Sequence, residues 1–129
     1  MNFETDKGLQ DDIPKEILNE IMKRGGIKGL KNTLCDEECL KKQSLMHNAC
    51  TDTVRLKILS LLKEGPLCVC AIKEVLGLAD SKLSYHLNVL KKAGLISGSK
   101  KYRWIIYRLT EQGDVWTSCM CQSKNLLDK

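Results

Sequence analysis

Apolar side chains recur at helical spacing over most of this chain and switch to a shorter period once, near residue 100. Over residues 14–24 (P-K-E-I-L-N-E-I-M-K-R), Ile17, Leu18, Ile21 and Met22 form one helical face, and Pro14 suits the first turn. Gly25-Gly26 ends that helix, and residues 27–32 read as a connection. Asn32 or Thr33 can cap a second helix running through L-C-D-E-E-C-L-K-K-Q-S-L-M-H-N. Its acidic Asp36, Glu37 and Glu38 lie in the first turn, where the helix dipole favours them. A third helix starts near Asp52 (D-T-V-R-L-K-I-L-S-L-L-K-E), with Val54, Ile58, Leu61 and Leu62 as its buried stripe, and Gly65-Pro66 stops it.

Two more helices follow closely. C-V-C-A-I-K-E-V-L ends at Gly77, and A-D-S-K-L-S-Y-H-L-N-V-L-K-K-A-G takes Asp80 or Ser81 as N-cap and Gly94 as its stop. Helix, short turn and helix make a helix-turn-helix arrangement. The period then shortens: L-I-S-G-S, a K-K-Y turn and R-W-I-I-Y-R-L predict a β-hairpin. A last helix opens at Thr110 (T-E-Q-G-D-V-W-T-S-C-M-C-Q). The fold class is mainly α with a β-hairpin.

Composition adds three constraints. A length of 129 residues suits one domain with a real core. No stretch approaches the roughly 18 consecutive apolar residues of a membrane span. The start, M-N-F-E-T-D-K, lacks a secretory pattern, so a cytoplasmic protein without membrane association is expected. The net charge of +5 is modest, but residues 82–108 carry K-K-K-K-K-R-R and no carboxylate, concentrating basic charge where nucleic-acid contacts would be sought.

The 7 cysteines change the picture most. An odd number in a reducing compartment argues against a disulfide scaffold and for metal binding or redox chemistry, with buried packing as the plain alternative. On one continuous helix Cys35 and Cys39 differ by about 40° and share a face, and Cys50 falls within roughly 60° but some ~22 Å further along. Cys68 and Cys70 point about 200° apart inside a regular helix. At a helix start, which Gly65-Pro66 supplies, both sulfurs can instead turn toward one point. An enzyme is not expected: nucleophilic thiol chemistry needs a base and a pocket, and the chain has 2 histidines, one of them on the second helix of the helix-turn-helix, and no Gly-rich cofactor loop.

From about residue 49 to 110 the chain resembles the ArsR/SmtB family of winged helix-turn-helix repressors. D-T-V-R-L-K-I-L-S-L-L, L-C-V-C-A-I, G-L-A-D-S-K-L-S-Y-H-L-N-V-L-K-K-A-G-L-I and W-I-I-Y-R-L carry the likeness, and S-Y-H-L-x-x-L-x-x-A-G-L is the most distinctive run. The resemblance implies a homodimeric, DNA-binding transcriptional repressor acting on double-stranded operator DNA. The first 30 residues lie outside the resemblance; residues 1–32 are expected to form an N-terminal helical arm, and residues 33–129 the winged domain with terminal dimerisation helices. Ser81, Lys82, Ser84, Tyr85 and His86 open the helix that enters the major groove, with Leu83, Leu87 and Leu90 turned to the core. Lys100, Lys101 and Arg103 at the hairpin grip phosphates. For His86 a DNA or structural contact is expected rather than metal ligation, and for His47 a solvated or packed role.

L-C-V-C resembles the thiolate signature of arsenic- and cadmium/lead-sensing members. Lys73 stands where arsenic sensors continue with a third cysteine, and Cys35-x-x-x-Cys39 matches the N-terminal pair of the cadmium/lead sensors. The likeness therefore implies a site of Cys35, Cys39, Cys68 and Cys70, within one protomer or across two, for Cd(II), Pb(II), Zn(II) or As(III). Cys119 and Cys121, in the helix that builds the family's dimer interface, and Cys50 are candidates for a second metal or redox site, or for packing beside Val115, Trp116 and Met120. The alternative keeps the fold and makes the cysteines a disulfide switch or iron–sulfur ligands.

Overall fold

The computed structural model describes residues 12–127, with side chains through Cys119. The chain divides into two compact units, residues 1–40 and 41–129. The first holds α1 (Lys15–Lys23) and α2 (Gly26–Asn32), which continues where a connection was expected. Pro14 precedes α1 and Gly25 follows it at φ 93°, a left-handed turn between the two helices. The predicted start of the next helix at Asn32 or Thr33 is overturned: α3 runs Glu37–Ala49. The Thr33 hydroxyl donates to the Leu30 carbonyl at 2.6 Å and so closes α2, while an Asp36 carboxylate oxygen accepts the Cys39 N–H at 2.7 Å and opens α3.

The second unit carries the core. After α3 come α4 (Thr53–Lys63), β1 (Leu67–Cys68), α5 (Val69–Leu76), α6 (Asp80–Lys92), β2 (Ile96–Lys101), β3 (Trp104–Leu109) and α7 (Glu111–Leu127). The helix expected to start near Asp52 does so, and Asp52 is its N-cap, accepting from the Val54 N–H at 2.8 Å and the Arg55 N–H at 3.3 Å. Of the predicted stripe of α4, Ile58 and Leu62 are buried and Val54 and Leu61 pack half-buried against the core, while Arg55 and Leu59 join the inward face unforeseen. Position 55 escapes an apolar pattern because its buried side chain is a cation.

Ile58, Leu59, Ile72, Leu83, Leu87, Leu90, Leu95 and Ile96 close one apolar core shared by α4, α5, α6 and the base of the hairpin. Each such side chain contributes about 1.5–3 kcal/mol on burial. Ala79, not Asp80 or Ser81, occupies the N-cap position of α6, and no side chain caps it. Asp80 is instead drawn to Lys73 of α5, at 2.7 Å. Gly94, at φ 80°, lets the chain leave α6 and enter β2.

The sheet order is β1-β3-β2, all antiparallel, with Lys101 opposite Trp104 across a two-residue turn at Tyr102 and Arg103. This is the expected hairpin, projecting as a wing, with the short β1 added at its base. Thr110 joins the wing to α7: its hydroxyl donates to the Gly94 carbonyl at 2.6 Å and accepts the Gly113 N–H at 3.0 Å. A methyl group at Gly113 would strike the Leu95 carbonyl, so α7 lies directly against the turn after α6. Among the described residues no helix is long and apolar enough to cross a membrane.

Candidate nucleic-acid interface and thiol pair

The amphipathic pattern of α6 puts its leucines inward and leaves Ser81, Lys82, Ser84 and Tyr85 exposed. Asn88 and Lys91 extend that stripe at the next helical turns and were not singled out from the sequence. Their i+4 and i+7 spacing from Ser84 was the available signal. A groove of about 510 Å³ runs between this stripe and the wing, lined by Ser81, Ser84, Tyr85, Asn88, Lys91 and Ile105 among others. Lys100, Lys101 and Arg103 are exposed at the wing, and the Arg103 guanidinium lies over the Trp104 ring at 4.7 Å.

His86 does not belong to the exposed set. It is 5% exposed and faces α4, where the Arg55 Nη1–H donates to His86 Nδ1 at 3.2 Å. The helical phase explains this: position 86 follows Leu83 by three residues and shares its inward face. Of the two contacts expected for His86, DNA or structural, the structure shows the structural one. His47 is exposed, with its ring against the edge of Trp116 at 4.7 Å.

The cysteines separate by element. Cys35, Cys39, Cys50, Cys68, Cys70 and Cys119 are thiols rather than disulfide halves. Cys35 precedes α3, Cys39 lies in its first turn and Cys50 follows its end, so the single-helix face expected for these three is not formed. Cys50 is half-buried; burial pushes its thiol pKa up, against a hydrogen bond with Trp116 and the charge of Arg55. Cys119 is exposed on α7, and Cys121 lies outside the described side chains.

Cys68 and Cys70 do meet. Cys68 is extended, pairs with Ile106 of β3 and occupies the N-cap position of α5, while Cys70 belongs to its first turn. That break in helical phase brings the sulfurs to 2.7 Å. The hydrogen bond from the Cys70 thiol, aided by the Ala71 N–H, holds the Cys68 pKa below the ordinary thiol value; the same bond pushes Cys70 up. Two adjacent cysteine sulfurs, one of them with a lowered pKa, are a donor set suited to a soft ion and to oxidation. Among the described residues no group of three or more His, Cys, Asp or Glu stands together in a metal-ligating arrangement.

The profile described as "Bacterial regulatory protein, arsR family" matches residues 52–97, from the cap of α4 into β2. The chain is 36% identical over 69 residues to the arsenic resistance transcriptional regulator ArsR1 of Pseudomonas putida, a match spanning 54% of each protein. It is 38% identical over 76 residues to the arsenical resistance operon repressor of Bacillus subtilis, covering 58% of this chain and 72% of that one. The fold is similar to that of HlyU from Vibrio cholerae, with TM-score 0.63, 26% identity, and 67% of this chain and 96% of that one covered. It is also similar to the homodimeric winged helix-turn-helix DNA-binding domain from Mycobacterium bovis, with TM-score 0.61, 24% identity, and 72% and 88% covered.

Proposed function

The chain belongs to the ArsR family of bacterial regulatory proteins, and from that premise we propose that it is a homodimeric repressor that reads operator DNA and releases it when cysteine thiolates take up a soft metal or metalloid ion. Membership places it among transcription regulators rather than enzymes. The observation that carries the DNA reading is the polar stripe of α6, exposed beside a basic wing. Ser81, Ser84, Tyr85 and Asn88 offer hydroxyl and amide groups to base edges in the major groove. Lys82 and Lys91, with Lys100, Lys101 and Arg103, supply phosphate contacts that fix register without choosing sequence. Two copies would place two such helices on successive half-sites of a near-palindromic operator.

The effector reading rests on Cys68 and Cys70. Their sulfurs already share one point, and the lowered Cys68 pKa favours the thiolate that ligates. A soft ion bound there would bring strong thiolate bonds and so a preference for Cd(II), Pb(II), Zn(II) or As(III). Cys35 and Cys39 are the proposed completing donors, within one protomer or across the dimer. The relatives named as arsenical-resistance repressors support As(III), which three thiolates hold, alongside the four-thiolate metals. From Cys70 the path to DNA is short, since Lys73 on the same helix pairs with Asp80 at the start of α6. A shift of α5 moves α6, and a coupling of about 1.4 kcal/mol is already tenfold in affinity.

The Sγ–Sγ distance also favours a second reading, in which peroxide is the signal. The Cys68 thiolate attacks peroxide to give a sulfenic acid, and the Cys70 thiol displaces water from it. Two thiols and one hydrogen peroxide yield one disulfide and two waters. An iron–sulfur cluster on four cysteines is the remaining form of this alternative. Anaerobic titration of the reduced protein with Cd(II), following thiolate charge-transfer absorption, separates them. The metal reading expects a sharp endpoint lost in Cys68→Ser; no endpoint, with oxidant-dependent DNA release, supports the redox reading.

A further inference from the structure

Among the described residues, α4 and α6 each bury one polar side chain in an otherwise apolar core, and these two side chains are partners. Arg55 is 7% exposed and His86 5%. The Arg55 fork makes three contacts: Nη1–H to His86 Nδ1 at 3.2 Å, Nε–H to the Ala49 carbonyl at 2.8 Å, and Nη2–H to the Asn48 carbonyl at 3.4 Å. A guanidinium only donates, so in this contact His86 Nδ1 is the accepting atom. The Asp52 carboxylate lies 3.9 Å from the same Nδ1, and the Tyr85 ring stands edge-on to His86 at 5.2 Å.

This joint connects three elements: the carbonyl end of α3, the first turn of α4 and the middle of α6. Apolar burial is itself non-directional, so leucine contacts define helix rotation only through the shape of their packing. A planar fork with three fixed acceptors does fix rotation. The neighbour of His86 on the exposed side is Tyr85, with Ser84 and Asn88 close by on the stripe. A few degrees of rotation of α6 displace all of these together.

We propose that Arg55, acting through His86, is a positioning residue that sets the rotation of α6 for DNA reading and links it to the end of α3. The inference rests on the DNA reading above.

The test uses the full chain and a DNA duplex selected by the wild-type protein from a random-sequence pool. Affinity for that duplex and the urea midpoint are measured for Arg55→Met/His86→Leu, which replaces the joint by apolar groups. The expected result is a wild-type-like midpoint with affinity reduced about tenfold, since isosteric apolar replacement of a buried polar pair is often neutral for stability while rotation is freed. A folded double variant with wild-type affinity overturns the proposal. His86→Asn and His86→Gln decide it where the double variant does not fold. Asparagine keeps an acceptor at the Nδ1 position and should retain affinity, while glutamine moves it outward and should not; equal affinities overturn the proposal. A wild-type protein that selects no duplex overturns the DNA reading itself, and this inference with it.

Discussion

Two side-chain pairs bracket the helix-turn-helix, and they differ in what water and solutes can reach. Arg55 and His86 meet inside, between α4 and α6, where the Arg55 fork donates to His86 and to two backbone carbonyls. Cys68 and Cys70 meet where β1 becomes α5, one half-buried and the other exposed. The first pair is costly to break and screened from the surroundings. The second is open to ions and oxidants and sits outside the apolar core. Under the proposed function the first would keep the reading helix in register, and the second would change state without unfolding the domain.

The largest expected effect comes from breaking the inner pair on one side only. Arg55→Ala leaves His86 and two carbonyls unsatisfied in the core and should cost about 3 kcal/mol in urea unfolding. Cys70→Ser, by contrast, should leave the midpoint unchanged; equal losses in the two variants would erase the distinction. Next in size is the wing. Lys101→Ala with Arg103→Ala should weaken duplex binding about tenfold and flatten the slope of log K against log salt by about 2, roughly 0.9 per lost phosphate contact, with no change in stability.

Acid sharpens the contrast from another side. Desolvation pushes the Asp52 pKa up, but the Arg55 and Val54 N–H groups and neighbouring positive charge outweigh it and hold the carboxyl below its usual range. A carboxyl depressed in the folded state stabilises above the unfolded carboxylate range, near pH 4, and that contribution is lost as pH falls through the lower folded value. Asp52→Asn should therefore flatten the acid limb of stability against pH while leaving neutral-pH DNA binding intact. The smallest effect on the fold is a chemical one. With its pKa lowered by the Cys70 thiol, Cys68 should be alkylated by iodoacetamide several-fold faster than Cys70 at pH 8, read by peptide mass spectrometry.

Much of the scaffold could be read from the chain because period and turn chemistry agree there. The α5–α6 pair, the inward Leu83, Leu87 and Leu90, the hairpin and the Asp52 cap all carry local signals. What escaped did so for identifiable reasons. Arg55 and His86 are polar residues on apolar faces, so a binary pattern places them outside; only the fold reveals that each satisfies the other. Asp36 and Thr33 compete for the start of α3, and side-chain hydrogen bonding decides it. The Cys68–Cys70 meeting was foreseeable only because Gly65-Pro66 marks a helix start. Asn88 and Lys91 were legible in helical phase but lay beyond the helix's opening residues.

The central claim is that Cys68 and Cys70 gate DNA held by α6. Its most direct test is fluorescence anisotropy of a wild-type-selected duplex, anaerobic and reduced, as Cd(II) or arsenite is added to wild-type protein and to Cys68→Ser. Both proteins should bind the duplex equally before addition, and only the wild type should then release it. Release from Cys68→Ser at the same effector concentration would contradict it.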